Sequence, residues 1–315
     1  MYNREIEGHS LWAWAAAAIS APAAQFLGST PWHWTLLLGL AAAGIWLCVE
    51  AGTVYGRRDW KPVAVLQILF LAFAVSAAAG WSGACWPTAR QSWTIPVVLL
   101  VLGACAAEQG CRTGARCGAV LFWCLVLLFG VLVAFAVPEV EWRNLRPENR
   151  GDGSMAAAVL LLPAAAALLP RKKGRSPWLW GLGLAIIGAG VSLLTAGVLS
   201  PAVATNIQGA FFEMIRGISI LGVAERFEAV VAAAMTLGWF CLLSLLLTAA
   251  GHLGETLHQG WGRPTVWLTA LLAATGQAWT REVSPWFSAL GALIFWCLLP
   301  LLGRRRAPVE KKNKI

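Results

Sequence analysis

Long apolar runs alternate with short polar breaks along the chain, and the runs set its architecture. Ten of them lie near the length needed to cross a hydrocarbon layer, about 20 helical residues with a tolerance of a few. They fall at residues 11–28, 34–55, 62–84, 93–107, 118–137, 154–170, 177–199, 223–250, 265–280 and 285–302. Two runs are interrupted by proline: Pro22 in LWAWAAAAISAPAAQFLG and Pro163 in SMAAAVLLLPAAAALLP. Proline removes a backbone donor and clashes one turn back, so a kinked or unwound helix is expected at both places. In lipid the freed backbone groups need partners in protein or in a wet cavity. One interrupted run opens the first five and the other opens the second five. Broken segments at matching positions of two halves point to a transporter-type site near mid-depth.

Between the runs, residues 29–33 form a tight turn containing Pro31, and residues 138–153 are the most polar stretch. Residues 200–222, with Glu213 and Arg216, are amphipathic and too polar to span. They predict a helix lying at the interface or folded over the bundle.

Composition agrees with this pattern. The 315 residues are 58% hydrophobic and 12% charged, against roughly 25% charged in a soluble domain. The expectation is an all-α integral membrane protein, one transmembrane domain over residues 1–315 with about ten helices. Its halves are about 11–137 and about 154–303, and residues 304–315 form a basic cytoplasmic tail. No separate catalytic domain fits in what remains, and no cleavable signal peptide is expected.

Net charge is +9, but its distribution argues for membrane lipid as the partner and against nucleic acid. With both termini placed in the cytoplasm, 17 of the 24 lysines and arginines fall on that face and 7 on the other. That bias is the one that orients membrane proteins. Most of the 19 tryptophans lie near run ends, as in an aromatic belt.

The residues do not suggest an enzyme. His33, His252 and His258 are read as loop residues and His9 as part of the N-terminal tail. No histidine–carboxylate cluster has metal spacing, and the eight cysteines contain no CxxC pair. No catalytic residue, metal or cofactor is expected. A half-helix ending before Pro22 leaves carbonyls exposed, and the one starting after it leaves amides able to meet an anion. The candidate ligand-contacting residues are therefore Ser20, Ala21, Pro22, Ala23 and Gln25, with Leu162, Pro163 and Ala164 opposite; plain proline kinks are the other reading. Residues 156–170 carry no polar side chain, so a ligand there is held by backbone or is largely apolar. Glu225, Arg226 and Glu228 enter the eighth run, where ionisable groups are costly unless paired or facing an aqueous cavity. They read equally as a gate or coupling group and as interface capping. Glu50 and Glu108 read as side chains snorkelling to the interface, and the arginines of 138–153 as part of a solvated loop.

Residues 215–229, IRGISILGVAERFEA, resemble the segment around the ERxE motif of the spore germination permease family. Residues 26–47, 93–118 and 142–153 (WRNLRPENRGDG) fit looser patterns of that family in the same order. The family supplies the membrane-spanning B subunit of nutrient germinant receptors, within the amino acid–polyamine–organocation transporter superfamily. The resemblance implies a LeuT-type fold of two inverted five-helix repeats with broken helices 1 and 6, seated in the spore inner membrane. It also implies recognition of a small nutrient (amino acid, sugar or nucleoside) and assembly with an A-type subunit and a C-type lipoprotein. Glu225, Arg226 and Glu228 match the motif, and Pro22 and Pro163 match the broken positions. The expected function is thus a germinant-receptor membrane subunit that triggers germination. The alternatives are an autonomous amino acid permease and a transporter-fold scaffold without its own ligand.

Overall fold

The computed structural model describes residues 5–54, 61–83, 93–145, 154–170, 178–207, 209–217, 227–280 and 283–299. These residues form helices joined by turns, with no β-strand among them. Apolar sequence in lipid leaves backbone groups no partner but their own helix, which is why every predicted run is helical. The first half holds α1 (Gly8–Phe26), α2 (Trp32–Val54), α3 (Lys61–Ser82), α4 (Thr94–Glu108) and α5 (Cys111–Ala136). The second opens with α6 (Ser154–Leu161), which continues as a 3₁₀ helix, Leu162–Leu168. It goes on through α7 (Trp178–Leu199), the short α8 (Pro201–Asn206) and α9 (Ala210–Gly217), and α10 (Phe227–Leu257). Then come α11 (Gly262–Thr280) and α12 (Pro285–Leu293), the latter continuing as a π-helical turn, Ile294–Leu298.

Among the described residues, three helical runs are long and apolar enough to cross a membrane: Lys61–Ser82, Cys111–Glu139 and Val230–Leu257. The protein is a helical bundle of membrane character.

Several local expectations change. Arg112 and Arg116, which the sequence places between the fourth and fifth runs, lie in the first turns of α5. The chain breaks earlier, at Gly110, whose φ of 87° suits glycine. His252 is buried inside α10 and His33 sits in the first turn of α2, so neither is a loop residue. The described part of the polar stretch is not a free loop. The Glu141 amide and the Asn144 side chain both donate to the Gly197 carbonyl, tying that stretch to the end of α7. Of the amphipathic segment, α9 is folded onto the bundle: Phe211, Met214 and Ile215 are buried, and Phe211 stacks on Phe129 of α5.

α1 is the hub. It packs on α5, α6, α7, α9 and α10, and nearly all its residues are buried. Trp14 lies across α5 where Gly114 and Gly118 leave a flat surface, since a Cβ at either would strike the indole. Small residues let helices approach this closely in lipid, where van der Waals packing drives association. The same logic joins α2 to α7, where Gly39 meets Ala185. The start of the chain is held as well: Ile6 is buried, and its amide donates to the Pro170 carbonyl at 3.0 Å. The beginning of α1 therefore lies beside the end of the sixth segment, and the two run antiparallel.

Packing partners recur between the halves when α1–α5 are matched to α6, α7, α10, α11 and α12. α1 packs on α5, and α6 on α12. α3 packs on α11, and α10 on α4; α3 also packs on α4, and α10 on α11. α1 touches α7, and α2 touches α6. The matched pairs α1–α6, α2–α7, α3–α10 and α4–α11 are each in contact. The packing of α10 on α1 is the main departure, having no comparable contact between α3 and the sixth segment.

Candidate functional site

The candidate residues on α1 and the sixth segment do meet, because α1 packs against both α6 and the 3₁₀ helix that follows it. Their local structure differs from expectation. α1 is a continuous α-helix through Pro22, so helix 1 is not broken there. A single proline deprives only one carbonyl of its partner. Packing on both sides keeps the helix in register: Ala21 and Ala23 are buried, and α10 lies against the same turn. At Pro163 the helix is not unwound either. It tightens from α to 3₁₀ at Leu162, and Leu162, Pro163 and Ala164 are all buried. A 3₁₀ helix uses i→i+3 bonds in place of the i→i+4 bonds of the α-helix.

The two polar side chains near Pro22 are both engaged within the protein. Ser20 Oγ donates to the Ala17 carbonyl at 2.6 Å. Gln25 is buried, 5% exposed, and uses both ends of its amide. Its Nε2 donates to the Trp81 carbonyl of α3 at 3.2 Å, and its Oε1 accepts from Trp239 Nε1 of α10 at 3.1 Å. Phe26 sets its edge against both indoles, with ring centroids 6.1 Å from Trp81 and 6.4 Å from Trp239. Gln25, Phe26, Trp81 and Trp239 thus form one node that ties α1 to α3 and α10.

One turn earlier α10 comes closer still. A Cβ built on Gly238 would lie 2.6 Å from the Ala21 Cβ and 2.8 Å from Ser20 Oγ. The ground beside Ser20 and Ala21 is filled by the backbone of α10. Past the node, Ser192 of α7 donates to the Leu27 carbonyl at 2.7 Å and meets Thr35 Oγ1 at 2.9 Å. Those hydroxyls satisfy the end of α1 and fix it to α2 and α7.

Glu225 and Arg226 lie outside the described residues. Glu228 is in the first turn of α10, and its side chain is likewise outside the description. Its backbone is eleven residues from Trp239, about 16 Å along the helix. The proposed gate and the node therefore share a helix at different depths. Glu108 accepts a bond from Trp267 Nε1 at 2.6 Å, which refines the snorkelling expectation: the carboxylate is held by an indole of α11. The side chain of Glu50 lies outside the description.

Trp81, Trp239, Ser192 and Thr35 were not among the candidate residues read from the sequence. A lone glutamine in an apolar run needs buried partners, a signal that such partners exist but not of which residues they are. Compared with known proteins, the chain matches no family model and no curated protein.

Proposed function

We propose that the chain is the membrane-spanning subunit of a nutrient germinant receptor, built as two inverted five-helix repeats of the LeuT type. The observation that carries the architectural part is the recurrence of packing partners between the halves. With five helices in each half, the second half enters the membrane from the opposite face, a reading supported by the contact between the beginning of α1 and the end of the sixth segment. The germinant part rests on the ERxE-like segment at the entry to α10.

In this reading the nutrient is recognised at the Gln25 node. A small ligand with a carbonyl and an N–H side by side replaces the bonds to Trp239 and Trp81. Exchanging those bonds loosens α1 from α3 and α10 and passes the signal through α10 towards Glu228. The closed packing around Ser20 and Ala21 weighs against an autonomous permease, which needs a path there. It favours a second reading, a scaffold of the same fold without its own ligand.

Affinity purification of the tagged chain from native membrane tests the proposal. Recovery of a partner with large soluble domains and of a lipoprotein, in comparable amounts, is the expected result. Recovery alone or as a homo-oligomer overturns the receptor assignment. Thermal stabilisation of the complex by nutrients, lost in Gln25→Leu, separates the ligand-binding subunit from the scaffold, which gives no response in the parent.

A further inference from the structure

The helix α5 is the least covered of the three long apolar runs, with 11% of its most apolar stretch buried against 61% and 67% in the other two. Six of its exposed residues follow one line. Arg112 and Arg116 come first, then Val120, Trp123, Leu127 and Val131. At 100° per residue these six fall within an arc of about 100°. Two cations are thus followed along one exposed stripe by four large apolar side chains. The start of α11 repeats the order on a smaller scale, with Arg263 exposed and then Trp267 and Leu271 at four-residue steps.

Glu255 accepts the Gly262 amide at 3.1 Å and so caps the start of α11, but these cations have little other compensation among the described residues. Neither α5 nor α11 has an acidic residue in its first turn. Both helices place arginine near the positive end of the helix dipole, the unfavourable sign. None of the three arginines pairs with a carboxylate among the described residues. The nearby carboxylate of Glu108 is held by Trp267, and that bond brings the end of α4 against the start of α11. The start of α5 follows α4 after only Gln109 and Gly110.

We propose that this end of the bundle binds an anionic phospholipid, with its phosphate on Arg112, Arg116 and Arg263 and its acyl chains along the apolar stripe of α5. A free anion has no use for the stripe, and a soluble acidic partner has none for its depth. The order of cation then hydrocarbon along one helix face is the order of headgroup then chain. The proposal rests on α5 spanning the membrane and not on the germinant-receptor assignment.

The full-length chain in an uncharged detergent is titrated separately with phosphatidylglycerol, phosphatidylcholine and inorganic phosphate, and thermal unfolding is followed. Phosphatidylglycerol is expected to raise the midpoint by about 3 °C. That shift should fall by at least half in Arg112→Gln/Arg116→Gln and in the milder Arg263→Gln. It should persist in Arg143→Gln, an exposed arginine beyond the far end of α5. An equal shift from phosphatidylcholine, an equal shift from phosphate alone, or an undiminished shift in both variants overturns the proposal. Release of the wild-type chain from membranes by alkaline carbonate would instead defeat the membrane reading itself.

Discussion

Gln25 has the largest expected effect of the residues near Pro22, because one amide serves two other helices. Gln25→Leu roughly keeps the volume but removes the Oε1 that accepts from the buried Trp239 N–H. A stranded buried donor costs about 1–3 kcal/mol, so the variant should unfold at a clearly lower temperature. Gln25→Leu with Trp239→Phe should lose less than the two single variants added together, since the second change removes the stranded donor. Strict additivity in a thermal-denaturation cycle would refute the bond. Gly238 makes a complementary case. Gly238→Val drives a side chain into Ser20 and Ala21 and should destabilise strongly, whereas Gly130→Ala, with nothing within 4 Å, should be neutral or better. Equal effects in detergent unfolding would contradict the close approach of α10 to α1. The sequence marked Gln25 as unusual but not its partners, which lie 56 and 214 residues away. No local pattern encodes a contact at that separation.

The prolines show what was and was not legible in the elements. Both were identified as interruptions, and a kinked or unwound helix was expected at each. In α1 the neighbours hold the helix closed, a tertiary effect that overrides the local preference. In the sixth segment the chain answers with a change of helix type, which the alanine-rich run after Pro163 tolerates. The two sites therefore predict different outcomes. Pro22→Ala restores one backbone bond in a helix that is already continuous, so it should be neutral or stabilising. Pro163→Ala lets an α-helix continue through Leu162–Leu168. Seven residues at about 1.5 Å rise instead of about 2.0 Å shorten the segment by about 3.5 Å. That draws Pro170 away from Ile6 and should lower the unfolding temperature. Similar behaviour of the two variants would argue against the distinction. Helix positions were well signalled by the apolar runs, because lipid leaves the backbone no alternative. Ends were read less well: α5 begins at Cys111, ahead of its apolar stretch, and α10 carries the polar residues around His252 to Leu257. Polar side chains do not end a helix unless the backbone gains something by leaving it.

At the scale of the whole molecule, the account depends on the relation between the two halves. In the proposed arrangement, five helices in the first half reverse the second, so matched elements begin on opposite faces. That arrangement would put the start of α5 inside and the start of α12 outside, with the end of α5 on the outer face beside the start of α12. A non-inverted arrangement would put the starts of α5 and α12 on the same face. The most direct measurement is labelling of single cysteines in a cysteine-free background, in sealed membranes of known orientation, with a membrane-impermeant maleimide. Arg112→Cys should be reached only from the cytoplasmic face, and Trp142→Cys and Ser284→Cys only from the opposite one. Labelling of positions 112 and 284 from the same side would contradict the inverted arrangement and the function proposed on it.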